Sequence, residues 1–188
     1  MQQTLEDIVL ALTKFYLGDH IRKMRRLCYA GGVALNVKCN QRLIDVLKPD
    51  GELFVQPAAS DAGTALGAAT YAAHQLGDTI HPMKDAYLGP EYTDAEIEAA
   101  LQKRGVKYER VNSITDVAAD LLARGEVVAW FQGRMEFGPR ALGGRSILGD
   151  ARSPVMQSTL NLKVKYRESF RPFAPAILEE RVKEYYIF

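Results

Sequence analysis

The sequence is poor in the residue types that would staple a fold, build a metal cage or span a membrane. Among its 188 residues are two cysteines, Cys28 and Cys39, with no C-x-x-C or other metal spacing. A disulfide framework and a zinc-finger ligand set are therefore excluded as organising principles, and two cysteines without a leader fit a reducing cytoplasm. Cys28 sits in an apolar run and reads as a buried small hydrophobe. The three histidines, His20, His74 and His81, include no pair four residues apart. No uninterrupted apolar run reaches the ~18 residues a membrane span needs, and the polar, acidic start MQQTLED is unlike a secretory leader. Excess charge is also lacking: a formal net charge of +1 argues against nucleic-acid binding by bulk charge.

What is present is an ordinary globular composition, 47% hydrophobic and 25% charged, long enough for one domain or two small ones. The near-zero net charge hides an asymmetry. Between Trp130 and Arg171 eight basic residues (Arg134, Arg140, Arg145, Arg152, Lys163, Lys165, Arg167, Arg171) face three acidic ones (Glu136, Asp150, Glu168), while the other sixteen basic residues face twenty acidic ones. These arginines alternate with glycine, proline and aromatic residues, which is poor chemistry for a solvated helix face and good chemistry for an anion site.

Periodicity predicts an α/β fold. Residues 4–17 carry apolar side chains at helical spacing, with Thr4 as N-cap, Asp7 as capping-box partner, and Glu6 and Asp7 at the positive end of the dipole. A short strand at 27–30 meets Gly31-Gly32, a helix covers 34–47, and a strand at 53–55 stops at Pro57. A small-residue helix suited to close packing then runs over 62–76 to Gly77. Residues 78–90 are turn-rich and read as a linker between a first unit (1–77) and a second (91–188). In the second, Thr93 and Glu96 form a capping box for a helix to about Lys103. A strand at 106–111, a helix at 114–124, a buried strand at 127–131, a structured loop at 132–144 and a strand at 146–148 follow. A helix from Pro154 to about Leu162, a strand at 174–178 and a last helix from Glu179 complete the expectation. The chain stops on the aromatic run Tyr185-Tyr186-Ile187-Phe188, which suggests a piece of a longer protein.

Two constellations carry chemistry. The first is Gly31-Gly32-Val33-Ala34-Leu35-Asn36, between a strand and a helix, followed by Ser60-Asp61-Ala62-Gly63 between the next strand and helix. Glycine there lets a backbone approach a ligand, and Asp61 stands at the carboxyl edge where α/β sheets bind ligands, although an N-cap would also account for it. The second is Gly133-Arg134-Met135-Glu136-Phe137-Gly138-Pro139-Arg140-Ala141-Leu142-Gly143-Gly144-Arg145-Ser146, with Asn161, Lys163, Lys165, Arg167 and Arg171 further on. Guanidinium forks suit phosphate and acyl-phosphate oxygens. Were 163–167 extended, alternation would put Lys163, Lys165 and Arg167 on one side. A bracing role, with Arg134 and Arg140 paired to Glu136 and Asp150, is the competing reading, and Arg152 and Glu168 are the best candidates for it.

Together these motifs resemble the C-terminal part of the O-carbamoyltransferases, the nodulation-factor and antibiotic carbamoyltransferases. The likeness lies in Gly-Gly-Val-Ala-Leu-Asn and Ser-Asp-Ala-Gly, in Gly-Arg-x-Glu-Phe-Gly-Pro-Arg-Ala-Leu-Gly-x-Arg-Ser, and in Lys-x-Arg-Glu-x-Phe-Arg-Pro-Phe-Ala-Pro. It implies the end of an ASKHA-type domain over 1–77 and a YrdC-like domain over 91–188, the latter cut short at its end. It further implies that Gly31, Gly32 and Asn36 lie along ATP, that Asp61 is a metal ligand, and that Arg134, Arg140, Arg145, Lys165, Arg167 and Arg171 act on carbamoyl phosphate, with Ser146 and Asn161 as polar orienters. Arg140 is the first of these to test. The implied reaction forms carbamoyl-adenylate from carbamoyl phosphate and ATP and passes the carbamoyl group to a hydroxyl of a small-molecule acceptor.

The family's Fe2+ or other divalent ion also relies on histidines from the missing N-terminal ASKHA part, so this chain alone is expected not to hold it and to complete no transfer. Apolar surface at the chain ends would favour a homodimer. The rival reading is a YrdC-like nucleotide- or RNA-binding module related to tRNA modification, with Phe131, Phe137, Tyr166 and Phe170 available to stack bases. A kinase-like ASKHA fragment explains Gly31-Gly32 and Asp61 but not the arginine loop.

Overall fold

The computed structural model describes residues 1–47 and 51–186, and the fold is α/β. It divides into two compact units, Met1–Glu91 with Gly133–Leu142, and Tyr92–Gln132 with Gly143–Phe188. In the first, α1 (Gln2–Met24) leads to β1 (Arg26–Tyr29), a 3-10 turn (Gly32–Leu35), α2 (Val37–Leu47), β2 (Glu52–Val55) and α3 (Ala62–Gln75). β1 and β2 pair in parallel with Cys28 opposite Phe54, so the chain between them must cross over, and α2 does so.

α2 carries the apolar positions that make the first core. Cys39, Leu43 and Leu47 are all but fully buried from its inner face, with Ala34, Ala58, Ala59, Leu10 and Ile21 closing around them. Burying each such leucine is worth about 1.5–3 kcal/mol. Strand side chains alternate between faces; Leu27, Tyr29, Leu53 and Val55 are half-buried, while Cys28 and Phe54 are exposed. The expected buried cysteine is therefore Cys39 and not Cys28, because Cys28 falls on the outward phase of β1. Burial, the largest cause for each, pushes the Tyr29 phenol and the Cys39 thiol above their ordinary ranges.

α1 begins two residues earlier than the sequence predicts. Thr4 lies inside the helix and Met1 takes the cap position without a side-chain bond. Glu6 is buried: Gln2 Nε2 donates to its Oε1 at 2.7 Å and Arg42 Nη1 to its Oε2 at 3.2 Å. The first turn is thus anchored by contact with α2 and not by a local box. α3 ends as expected, with Gly77 at φ 84°, but none of its residues is buried.

The second unit holds α4 (Asp94–Lys103), α5 (Ile114–Ala123), β3 (Val128–Phe131), β4 (Arg145–Leu148), α6 (Met156–Thr159) and α7 (Val182–Tyr185). A π-turn (Leu160–Val164) continues α6, and a 3-10 turn (Glu179–Arg181) precedes α7. β3 and β4 pair antiparallel, and Ala118, Met156, Leu160 and Asn161 are buried.

Several expectations fail here. Residues 106–111 and 174–178 form no strand among the described residues. Val106, Tyr108, Val111 and Leu178 are exposed, and without a neighbouring edge an extended segment has no ladder to join. β3 is half-exposed, Phe131 being 53% accessible. Pro154 precedes the helix instead of entering it. Lys163 and Lys165 lie in or beside the π-turn, so the extended alternation over 163–167 does not exist. Ile187 and Phe188 of the terminal aromatic run lie outside the described residues.

The capping box at α4 is as expected: Thr93 Oγ1 accepts from the Glu96 N–H at 3.3 Å, and Glu96 Oε2 accepts from the Thr93 N–H at 2.8 Å. The Thr93 N–H first, and then the Thr93 hydroxyl, which also donates to Glu96 Oε2 at 2.8 Å, hold the Glu96 carboxyl below its ordinary range. A depressed carboxyl adds stability above its unfolded value and loses it as pH falls through the folded one. Thr93→Ala should cost about 1 kcal/mol in urea unfolding at neutral pH, with the difference from the parent shrinking under acid. An unchanged midpoint at neutral pH would show that the cap contributes nothing.

Candidate functional site

Parallel pairing puts the carboxyl ends of β1 and β2 side by side, the edge at which open α/β sheets take ligands. A cleft of about 260 Å³ lies there, lined by residues of the loops that leave the two strands and of the start of α3: Gly31, Gly32, Gln56, Ser60, Asp61 and Thr64 among them. Three glycines shape it, each for a different reason. Gly31 needs its freedom because φ is 102°, and its N–H donates to Ala59 O at 2.6 Å, tying the two loops together. Gly63 packs so closely that a Cβ would run into the Ala58 carbonyl oxygen. Gly32 has neither need: its φ is ordinary, and a Cβ would project into open space.

Asp61 holds the N-cap position of α3 without capping it; its side chain is exposed at the cleft, and its carbonyl accepts from Thr64. It is the single carboxylate in the lining, and among the described residues no three His, Cys, Asp or Glu side chains converge. A divalent ion takes several ligands. Among the described residues, the side chains at this cleft do not make a complete metal site.

Asn36 is engaged within the protein. Its Oδ1 accepts from the Cys39 N–H at 3.1 Å, capping α2, and from Gln2 Nε2 at 3.2 Å, while its Nδ2 donates to Gln2 Oε1 at 2.9 Å.

The segment Gly133–Leu142 packs into this same first unit. Its backbone pairs with residues 86–90: Phe137 N–H with Ala86 O at 2.7 Å, Gly89 N–H with Met135 O at 2.9 Å, and Met135 N–H with Pro90 O at 3.0 Å. The stretch read as a linker is thereby clamped, with Ala86 buried and the Tyr87 hydroxyl on Leu142 O at 2.6 Å. Gly138, at φ 121°, lies against Pro57 and Ala58. Arg134 donates to Gly89 O and Leu88 O, and Arg140 to Leu35 O at 3.3 Å in the turn after the glycine pair. Both arginines brace carbonyls, and not the carboxylates that the competing bracing reading named. Buried Glu136 accepts from the Leu142 N–H at 2.8 Å, and Asp150 pairs with Arg152, whose bracing role was anticipated.

The other candidates belong to the second unit. Arg145 lies flat on Phe131, 3.4 Å from the ring centre, and donates to Gln132 O and Gly144 O, which fixes the mouth of the β3–β4 connection. Ser146 Oγ accepts from the Gly143 N–H at 3.0 Å. Arg171 pairs with Glu168 at 3.0 Å on the surface. Lys165 is exposed. Arg167 donates through Nε to Asn161 Oδ1 at 2.7 Å and lies over the Phe173 ring at 4.9 Å. Asn161 has no exposed surface, so it cannot touch a ligand as the sequence suggested. The sequence reading missed Phe173, although an aromatic two residues beyond Arg171 was the signal for it. It also missed Gln157, which donates to Phe170 O and Arg171 O and which no motif marks.

Comparison with known proteins places these segments. Residues 1–70 match the family described as carbamoyltransferase N-terminus and residues 119–187 the one described as carbamoyltransferase C-terminus. An uncharacterized protein of Synechocystis is 50% identical over 173 residues, covering 87% of this chain and 28% of that protein. The nodulation protein NolO of Bradyrhizobium diazoefficiens is 44% identical, covering 99% of this chain and 34% of the relative. The nodulation protein NolNO of Sinorhizobium fredii is 40% identical, covering 99% and 28%. The chain thus spans about a third of the length of these relatives.

The cleft glycines give a paired test by thermal or urea unfolding. Gly63→Ala gains about 1 kcal/mol in helix propensity, but the collision with a backbone oxygen outweighs it, for a net loss of about 1–2 kcal/mol. Gly32→Ala should stay within about 0.5 kcal/mol of the parent. Equal effects at the two positions would contradict this division of roles.

Proposed function

The chain belongs to the carbamoyltransferase family, and from that premise we propose that it carries the carbamoyl-activating part of an O-carbamoyltransferase. In this reading the second unit, as a YrdC-like domain, cleaves carbamoyl phosphate with water to carbamate and inorganic phosphate, and the carbamate oxygen then attacks the α-phosphate of ATP to give carbamoyl-adenylate and pyrophosphate. The first unit is the end of an ASKHA-type domain that passes the group to a hydroxyl of a small-molecule acceptor. Both substrates are polyanions, so activation calls for fixed positive charge that costs no reorganisation at the moment of reaction.

The observation that carries the reading is the state of Arg167. One edge and one face of its guanidinium are held by Asn161 and Phe173, which leaves the Nη edge for an anion, beside the exposed Lys165. A bidentate fork of this kind suits a phosphate or acyl-phosphate group. In the first unit, Gly32 supports nucleotide approach, since the protein's own packing gives no reason for a glycine there. Lys165 and Arg167 are accordingly the favoured cations of the second unit, with Arg145 and Ser146 as braces and Arg171 partly neutralised by Glu168.

A second reading has one observation in its favour. Tyr166 and Phe170 are 86% and 77% exposed beside these cations, as a base-stacking RNA module would have them. RNA binding that falls steeply with salt, and that carbamoyl phosphate does not displace, would favour it.

The test is carbamoyl-phosphate-dependent exchange of pyrophosphate into ATP. Arg167→Ala should lower the rate by about 2 kcal/mol or more, roughly thirtyfold, while Arg152→Ala, which removes a surface brace, leaves it unchanged. Gly32→Ala should weaken ATP binding without a change in stability. Full exchange activity in Arg167→Ala would overturn the assignment.

A further inference from the structure

A guanidinium on a surface loop samples many rotamers, and an arginine that must present one edge to an anion needs something to hold it. In the second unit that holder is visible. Asn161 lies in the π-turn, a local widening of the helix that re-aims side chains and often marks functional sites. The chain then turns back at Tyr166, which adopts φ 49°, a left-handed conformation that a tyrosine seldom takes. The returning segment 167–171 lies across Asn161. The Arg167 N–H donates to the Asn161 carbonyl at 3.0 Å, and Asn161 Nδ2 donates to Ser169 O at 3.0 Å and Arg171 O at 2.8 Å. Its remaining polar atom, Oδ1, takes the Arg167 Nε–H at 2.7 Å.

We propose that Asn161 is a positioning residue for anion binding: it holds the Arg167 guanidinium, together with Phe173, so that the Nη edge meets an acyl-phosphate or phosphate ligand. This rests on the reading of Arg167 given above. Asn161 is fully buried, and all of its side-chain bonds go to this one loop, so it acts through Arg167 and not on the ligand. The division of labour within the side chain is specific. The amide NH2 shapes the loop, and the amide oxygen aims the arginine. Gln157 shares the first task, through Phe170 O and Arg171 O, but has no bond to Arg167.

The probe is carbamoyl phosphate, titrated calorimetrically into the full chain. Arg167→Lys keeps the charge but lacks the Nε–H and the fork, and should weaken binding about tenfold. Asn161→Ser should do the same in the parent yet add less than about twofold in the Arg167→Lys background, because the residue it positions is gone. Phe173→Leu, which removes only the ring beneath the guanidinium, should weaken binding several-fold. Gln157→Ala should lower thermal stability and leave affinity within about twofold.

If Asn161→Ser does not fold, as circular dichroism would reveal, Phe173→Leu decides: several-fold weakening supports the positioning role, and unchanged affinity overturns it. Equal effects of Asn161→Ser in both backgrounds would also overturn it, since Asn161 would then be acting independently of Arg167. The underlying reading is separately exposed: parent-like affinity in both Arg167→Ala and Arg167→Lys would remove Arg167 from the site altogether.

Discussion

Parallel pairing of Arg26–Tyr29 with Glu52–Val55 is the constraint from which the first unit follows. Two strands that run the same way must be joined by a crossover, and α2 supplies both that connection and the buried face of Cys39, Leu43 and Leu47. The same pairing sends both strands out at one edge, so the Gly31-Gly32 turn and the Gln56–Asp61 loop meet there. The Gly31 N–H on Ala59 O locks them together, and Gly63 and Gly138 let α3 and the arginine-bearing loop close on Pro57 and Ala58 without a side chain between. What is left uncovered is a small cleft bearing hydroxyls, a carboxylate and one glycine that the protein's own packing does not require.

The second unit solves a different problem, the presentation of positive charge. Half of its six clustered cations are spent on structure: Arg145 on two carbonyls and an aromatic ring, Arg152 on Asp150, Arg171 on Glu168. Exposed ion pairs of this sort contribute little to stability, but they remove those side chains from competition for a ligand. Arg167 differs from Arg152 and Arg171 because its partners are neutral. An amide oxygen and a phenyl face fix its direction without cancelling its charge, which is what an anion site needs. A polar residue can occupy this position without solvent access because both polar atoms of the Asn161 side chain have partners within the loop.

Features written in short spans of chain were legible in the sequence. The capping box at Thr93 and Glu96 and the stop of α3 at Gly77 depend on neighbours a few residues apart, and β1 and β2 were marked by short apolar runs before Gly31 and Pro57 although their pairing joins segments 26 residues apart. Features that depend on distant chain were not. Residues 106–111 and 174–178 have strand-like composition, yet a strand exists only where another edge receives it. The start of α1 moved because Gln2 and Glu6 answer to Asn36 and Arg42, more than thirty residues away. Arg134 and Arg140, counted with the later cations as one charge cluster, pack with the first unit because residues 135–137 pair with 86–90, a partnership no local pattern records. The clustering of the candidate cations was legible in the sequence; which of them brace carbonyls and carboxylates depends on contacts that short-range patterns do not record.

The proposed formation of carbamoyl-adenylate by this chain is open to direct observation. Phosphorus NMR of the chain mixed with ATP and carbamoyl phosphate tests it most directly. Pyrophosphate and a new mixed-anhydride resonance of the adenylate should appear, together with inorganic phosphate, only when both substrates are present. Pyrophosphate release that does not depend on carbamoyl phosphate, or its absence while both ligands are demonstrably bound, would contradict it.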